Sequence, residues 1–193
     1  MALYPDYTTA SEVKALMGVT DNVDDAAIAL AITAASRAID SHCQRQFGSA
    51  TAQVREYDIK GRTVAIEDVT SVSSVVVRPR WDTTETTLTV GTGYRLLPLN
   101  ASGAGKPSTH VQLYTDYSTD YVLKVTGTVG WSSVPPAVEQ ACQIQAIRLF
   151  KRKDSPFGVA GSPELGSELR LLAKVDPDVD VLLMQYRRSW GAV

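Results

Sequence analysis

The apolar residues of this chain change period twice along its 193 residues. From Thr9 to Phe47 they recur every three or four positions, and from about Gln53 to Trp131 they alternate. From Pro135 to Trp190 the helical spacing returns. A period near 3.6 marks a helix buried along one face, and a period of 2 marks a strand buried on one side. We therefore expect an α+β fold in which a bundle of three to four helices is interrupted by a small antiparallel sheet or barrel. The helical domain takes residues 1–48 and 134–193, and the β insertion, residues 49–133, lies between the second and third main helices.

Local signals set the element ends. Thr9 or Ser11 caps a short helix through Met17, with Glu12 supporting the cap and Gly18 stopping it. Asp24 is placed to cap a longer helix whose apolar stripe is Ile28, Ile32, Ala35, Ile39, Cys43 and Phe47. Ala27, Ala31, Ala34 and Ala38 widen that stripe with small side chains that allow close approach of another helix, from this chain or a second copy. Strands are expected over Ser71–Arg80, Thr86–Val90, Tyr94–Leu97 and Val122–Val129, with Gly127 and Gly130 marking a bulge or a close backbone approach. Pro135 and Pro136 open a third helix with Val138, Ala141, Cys142, Ala146, Leu149 and Phe150 on its apolar face. Asp176 and Pro177 open a last helix with the stripe Val179, Leu182, Leu183, Tyr186.

Catalytic and metal-binding patterns each fail a physical requirement. Gly103-Ala104-Gly105-Lys106 lacks the first glycine of a phosphate loop, where Asn100 stands, and Pro107 replaces the magnesium-holding hydroxyl. Asp176, Asp178 and Asp180 alternate like a calcium loop, but Val181 and Arg187 occupy the positions of the turn glycine and the bidentate glutamate. Ser11 and Lys14 match a serine–lysine spacing at a helix cap, without a companion motif. His42 lies at the edge of the apolar face of the second helix, and His110 in a turn-rich stretch. Cys43 and Cys142 are far apart and read as buried small side chains. No enzyme activity, metal or cofactor is expected.

Net charge −2 argues against a chain that coats nucleic acid, which needs a strongly basic surface. The exception is local: Arg148, Lys151, Arg152 and Lys153, with Arg187 and Arg188 near the C-terminus, suit either a helix C-terminus or contact with an acidic partner or phosphates. Tyr114, Tyr117 and Tyr121, interleaved with Asp116 and Asp120, form a polar-aromatic stretch of the kind enriched at protein interfaces. The longest apolar run, Ala26–Ile32, is far shorter than the ~20 residues of a membrane span, so no membrane partner is expected. Met1–Tyr7 lacks the basic and apolar regions of a secretion signal.

The order of motifs is more specific than any one of them. The run Ala34-Ala35-Ser36-Arg37-Ala38-Ile39-Asp40-Ser41-His42-Cys43-Gln44-Arg45-Gln46-Phe47 resembles the A-A-S-x-x-I-D-x-x-C-x-R-x-F helix of phage head-tail connector (head-to-tail adaptor) proteins of long-tailed bacteriophages. Gly130-Trp131 before Pro135-Pro136, Ala146 to Arg152, Ser155 to Gly161, and Asp176 to Tyr186 are similar to the actinobacteriophage branch.

The resemblance implies a structural virion protein: a homo-oligomeric, dodecameric ring under the portal protein in the neck between capsid and tail, made in the host cytoplasm. Such a ring extends the DNA channel, lets double-stranded DNA pass without specific binding, and offers a platform to a head-tail stopper or tail-completion protein. It places portal docking on the C-terminal part, with Phe157, Leu169, Leu172, Val179, Leu182, Leu183, Tyr186, Arg187, Arg188 and Trp190 as candidates. Ring packing falls to Ala27, Ala31, Ala34, Ala38, Arg148 and Arg152, and the stopper-facing or tail-facing surface to Tyr114, Tyr117 and Tyr121. The alternatives are another neck or tail-completion (stopper) protein, or a small nucleic-acid-binding regulator using the basic third helix.

Overall fold

The computed structural model describes residues 3–154, 159–160, 169–170 and 176–188. Phe157, Leu172 and Trp190 lie outside the described residues. The chain is α+β, with an antiparallel six-stranded sheet between the second and third helices. The described residues divide into two compact bodies: residue 3 with 46–133, and residues 4–45 with those between 134 and 188.

The helical body contains α1 (Ala10–Met17), α2 (Asp25–Cys43), α3 (Pro136–Lys151) and α4 (Pro177–Leu183), the last followed by one 3-10 turn, Met184–Tyr186. α1 begins in a capping box. The Glu12 N–H donates to the Thr9 hydroxyl at 3.4 Å, and the Thr9 N–H donates back to the Glu12 carboxylate at 2.8 Å. Gly18 ends it at φ 69. α4 begins as expected, with the Asp176 carboxylate accepting from the Asp178 N–H at 3.0 Å.

α2 differs from expectation at both ends. Asp24 occupies the cap position, but its side chain makes no cap bond; ψ of 8° turns the carboxylate away, and it pairs with Lys153 at 2.5 Å. The helix stops at Cys43 because Gln44 adopts a left-handed conformation, φ 55. Phe47 therefore belongs to the β body. Ile28, Ile32, Ala35, Ile39 and Cys43 are buried, as are Val138, Ala141, Cys142 and Ala146 of α3. The two helices meet through small side chains. Ser36 donates to the Ile32 carbonyl at 2.9 Å, accepts from the Tyr7 N–H at 3.1 Å, and lies 3.4 Å from the Cys142 sulfur.

The β body contains β1 (Ser49–Asp58), β2 (Thr63–Pro79), β3 (Thr86–Leu88), β4 (Tyr94–Leu97), β5 (Ser108–Leu113) and β6 (Tyr121–Gly130). The sheet order is β1-β6-β2-β5-β4, with β3 also paired to β2. β2 organises the body. It pairs with β6 over Val69–Pro79, while its other edge takes β5 over Thr63–Val69 and then β3 over Val75–Val77. Register shifts between Ala65 and Val69, Val69 and Ser71, and Val72 and Ser74 let this long strand bend. Side chains then link its first half to β1. The Glu67 N–H donates to the Tyr57 hydroxyl at 3.2 Å, and Arg55 pairs with Glu67 at 3.1 Å. Ile59, Val64, Ile66, Val75, Val77, Val111, Leu113, Leu123 and Val125 fill the interior.

Both glycines singled out in β6 sit against backbone. A Cβ on Gly127 would lie 2.1 Å from the Ser71 carbonyl oxygen, and one on Gly130 (φ +102) 1.9 Å from the Gly48 oxygen. His110, expected in a turn-rich stretch, is instead a β5 residue opposite Leu97. Outside these bodies' main sheet, β7 (Val159–Ala160) and β8 (Leu169–Arg170) form a short antiparallel pair in which Leu169 faces Ala160 in register.

Candidate interaction surfaces

The described residues hold no cluster of three or more potential metal ligands, and none of their helices is long and apolar enough to cross a membrane. Cys43 and Cys142 are free, buried thiols, and burial pushes both up to about 11. At neutral pH they are protonated apolar groups rather than nucleophiles.

The alanines of α2 divide between inside and outside. Ala31 is buried and Ala27 half-buried, whereas Ala34 and Ala38 are exposed. They share the outer side of the helix with Leu30, 73% exposed, and Val23 in the turn before the helix is 88% exposed. From Ala26 to Ser36 the helix carries no formal charge, so its solvent side presents methyl and isobutyl groups where charged residues are usual. Leu30 was not singled out from the sequence because it falls off the buried stripe. Its position one turn from Ala27 and Ala34 was the available signal.

Three residues of the basic cluster lie beside carboxylates within the helical body. Arg148 pairs with Asp176 at 3.1 Å, Lys153 with Asp24 at 2.5 Å, and Arg187 lies 3.9 Å from Asp180. Lys14 pairs with Asp25 at 2.7 Å and Arg37 with Asp40 at 3.1 Å. Cations already matched to carboxylates have less unpaired charge to offer a phosphate backbone. Burial raises the Asp40 carboxyl, against the opposing hydrogen bond from the Tyr7 hydroxyl and the charge of Arg37.

In the C-terminal part, Val179 and Leu183 are buried, Leu182, Tyr186 and Arg188 are half-buried, and Arg187 is exposed. Val181 and Met184, 76% and 72% exposed, occupy the outer side. In the β body Tyr114 is exposed, while Tyr117 and Tyr121 pack against the interior with ring centroids 5.4 Å apart. The intervening loop is tied down by Arg62, which hydrogen-bonds the Tyr114 carbonyl and pairs with Asp116 at 3.3 Å. It is tied again at the Asp120 carbonyl, which accepts from the Arg80 N–H at 2.6 Å. Trp81, in the turn after β2, is 79% exposed and had no sequence signal beyond its type.

No family model matches the chain, and no curated protein matches it. Among solved structures, it is similar to a chain in the neck of an empty GTA particle computed with C6 symmetry. The TM-score is 0.55 at 18% identity, covering 100% of this chain and 99% of that one. At this identity the likeness establishes a shared fold.

Proposed function

We propose that this chain is a structural neck protein of a phage-type particle, and specifically a head-to-tail adaptor. The observation that carries this is the end-to-end fold likeness to a chain in the neck of a GTA particle. Helical body and β insertion are matched together. A solution with sixfold symmetry is compatible with a closed ring, and a dodecameric ring obeys the same symmetry.

Copies of the chain form a ring beneath the portal, with DNA passing through the centre and a stopper or tail-completion protein docking on the far side. The uncharged outer side of α2 supports the subunit contact: Ala27, Ala34 and Ala38 allow close approach, and Leu30 supplies apolar area. Of the other residues expected at that contact, Ala31 is buried within the helical body and Arg148 is paired with Asp176, which leaves Arg152 as the remaining candidate. The C-terminal part docks on the portal, and Tyr114, with Tyr117 and Tyr121 behind it, belongs to the surface turned to the stopper or tail. No covalent step is assigned to any residue. The engaged cations Arg148 of α3 and Lys153 in the turn after it favour this over a nucleic-acid-binding regulator, because a DNA channel must not grip its cargo.

Quantitative mass spectrometry of purified particles tests the proposal. One ring's worth of this chain per portal ring is expected, and its absence from particles would refute the assignment.

A further inference from the structure

We propose that α4 is a charge-latched strap, which comes off α1–α3 as a unit while they stay folded. Two acids of the strap reach its seat: Asp176 pairs with Arg148 of α3 at 3.1 Å, and Asp180 lies within hydrogen-bond distance of the His42 ring of α2, at 2.9 Å. Asp178 adds a third acid to the same first turn, and Arg187, downstream on the strap itself, lies 3.9 Å from Asp180.

The apolar hold is short: Val179 and Leu183 are buried and Leu182 and Tyr186 half-buried, whereas Val181 and Met184 point out. α2, by contrast, buries Ile28, Ile32, Ala35, Ile39 and Cys43. A helix of seven residues has almost no stability on its own, so it exists only while latched. Such a segment opens as one cooperative unit at a lower free energy than the body it rests on. Because part of the hold is Coulombic and partly exposed, salt weakens it.

Opening frees more than the strap. The Arg188 N–H, which caps the Cys43 carbonyl at 2.9 Å, leaves the end of α2, and the His42 ring loses its carboxylate. The buried sides of Val179 and Leu183 become available to another protein only in this open state. The strap is a property of the free chain and stands whether or not the chain is an adaptor. If it is one, portal docking through Val179 and Leu183 requires the opening.

Hydrogen exchange on the full-length chain, at low and at high sodium chloride, tests it. The amides of Asp180 to Leu183 and of Arg188 are expected to exchange faster than those of Ile32, Ala35 and Ala146, and faster still in high salt. Asp180→Asn and Arg148→Gln are each expected to speed the strap amides by up to about fivefold, leaving α2 and α3 unchanged. Strap amides that exchange in step with α2 and α3 would overturn the proposal. So would a rate in the unmodified chain indifferent to salt, a measurement that needs no variant to fold.

Discussion

The Trp131 indole donates its Nε1–H to the Asp68 carboxylate at 3.0 Å, both residues being buried in the β body. Phe47 packs beside the indole with ring centroids 5.4 Å apart, and the Trp131 N–H donates to the Gly48 carbonyl at 2.9 Å. The entry and exit of the insertion are thus joined through one aromatic residue, and a carboxylate from the middle of β2 holds that residue. Trp131→Phe keeps an aromatic ring but removes a donor from a buried carboxylate, at an expected cost of roughly 1–3 kcal/mol. Urea unfolding of the full chain measures it, and Asp68→Asn, which keeps an acceptor, is expected to cost less.

Gly130→Ala meets two obstacles at the same seam. The φ of +102 strains any L side chain, and the new methyl lies 1.9 Å from the Gly48 oxygen. The carbonyl is backbone and cannot step aside, so a loss above about 3 kcal/mol is expected. Gly61→Ala is the matched control, since nothing lies within 4 Å of its Cβ position. It is expected to change stability by under about 0.5 kcal/mol. Thermal melting of both variants decides between them.

The capping box of α1 makes a pH-dependent contribution. The Glu12 carboxyl is held below its ordinary value of 4.5, first by the Thr9 N–H and then by the hydroxyls of Thr9 and Thr8. A folded value below the unfolded one stabilises the fold above the ordinary carboxyl range, and that contribution is lost as pH falls through the folded midpoint. An NMR titration is expected to place the Glu12 midpoint below 4.5. In Thr9→Ala the midpoint rises, and stability at neutral pH drops by about 1 kcal/mol.

Much of this was legible because it is local. Thr9, Glu12 and Gly18 specify α1 within ten residues, and the Ile28–Cys43 stripe specifies the buried side of α2. The same periodicity overran into Phe47, because nothing in the pattern announces that Gln44 turns left-handed. Pairings across the fold were not legible. Asp24 reads as a cap until Lys153 is brought beside it, and Asp68 finds Trp131 only once the strand order is known. His110 looked like turn because its neighbours are turn formers, yet pairing with β2 and β4 makes that stretch a strand. For the interaction surfaces, the residue types were readable but not which sides remain open. Val179 and Leu183 are turned inward, while Leu30 stands in solvent.

Leu30→Glu separates folding from assembly. The side chain is 73% exposed, so the free chain is expected to melt within a degree or two of the unmodified protein. A charge in the apolar centre of a subunit contact is poorly tolerated, so incorporation into particles is expected to fall at least about tenfold. Equal incorporation would remove the outer side of α2 from the ring contact.

The most direct measurement is a cryo-electron microscopy reconstruction of the neck of purified particles carrying this chain. The expected result is a closed ring between portal and tail into which the helical body and the β insertion both fit. A neck without density for this fold, or density for it elsewhere in the particle, would contradict the adaptor assignment.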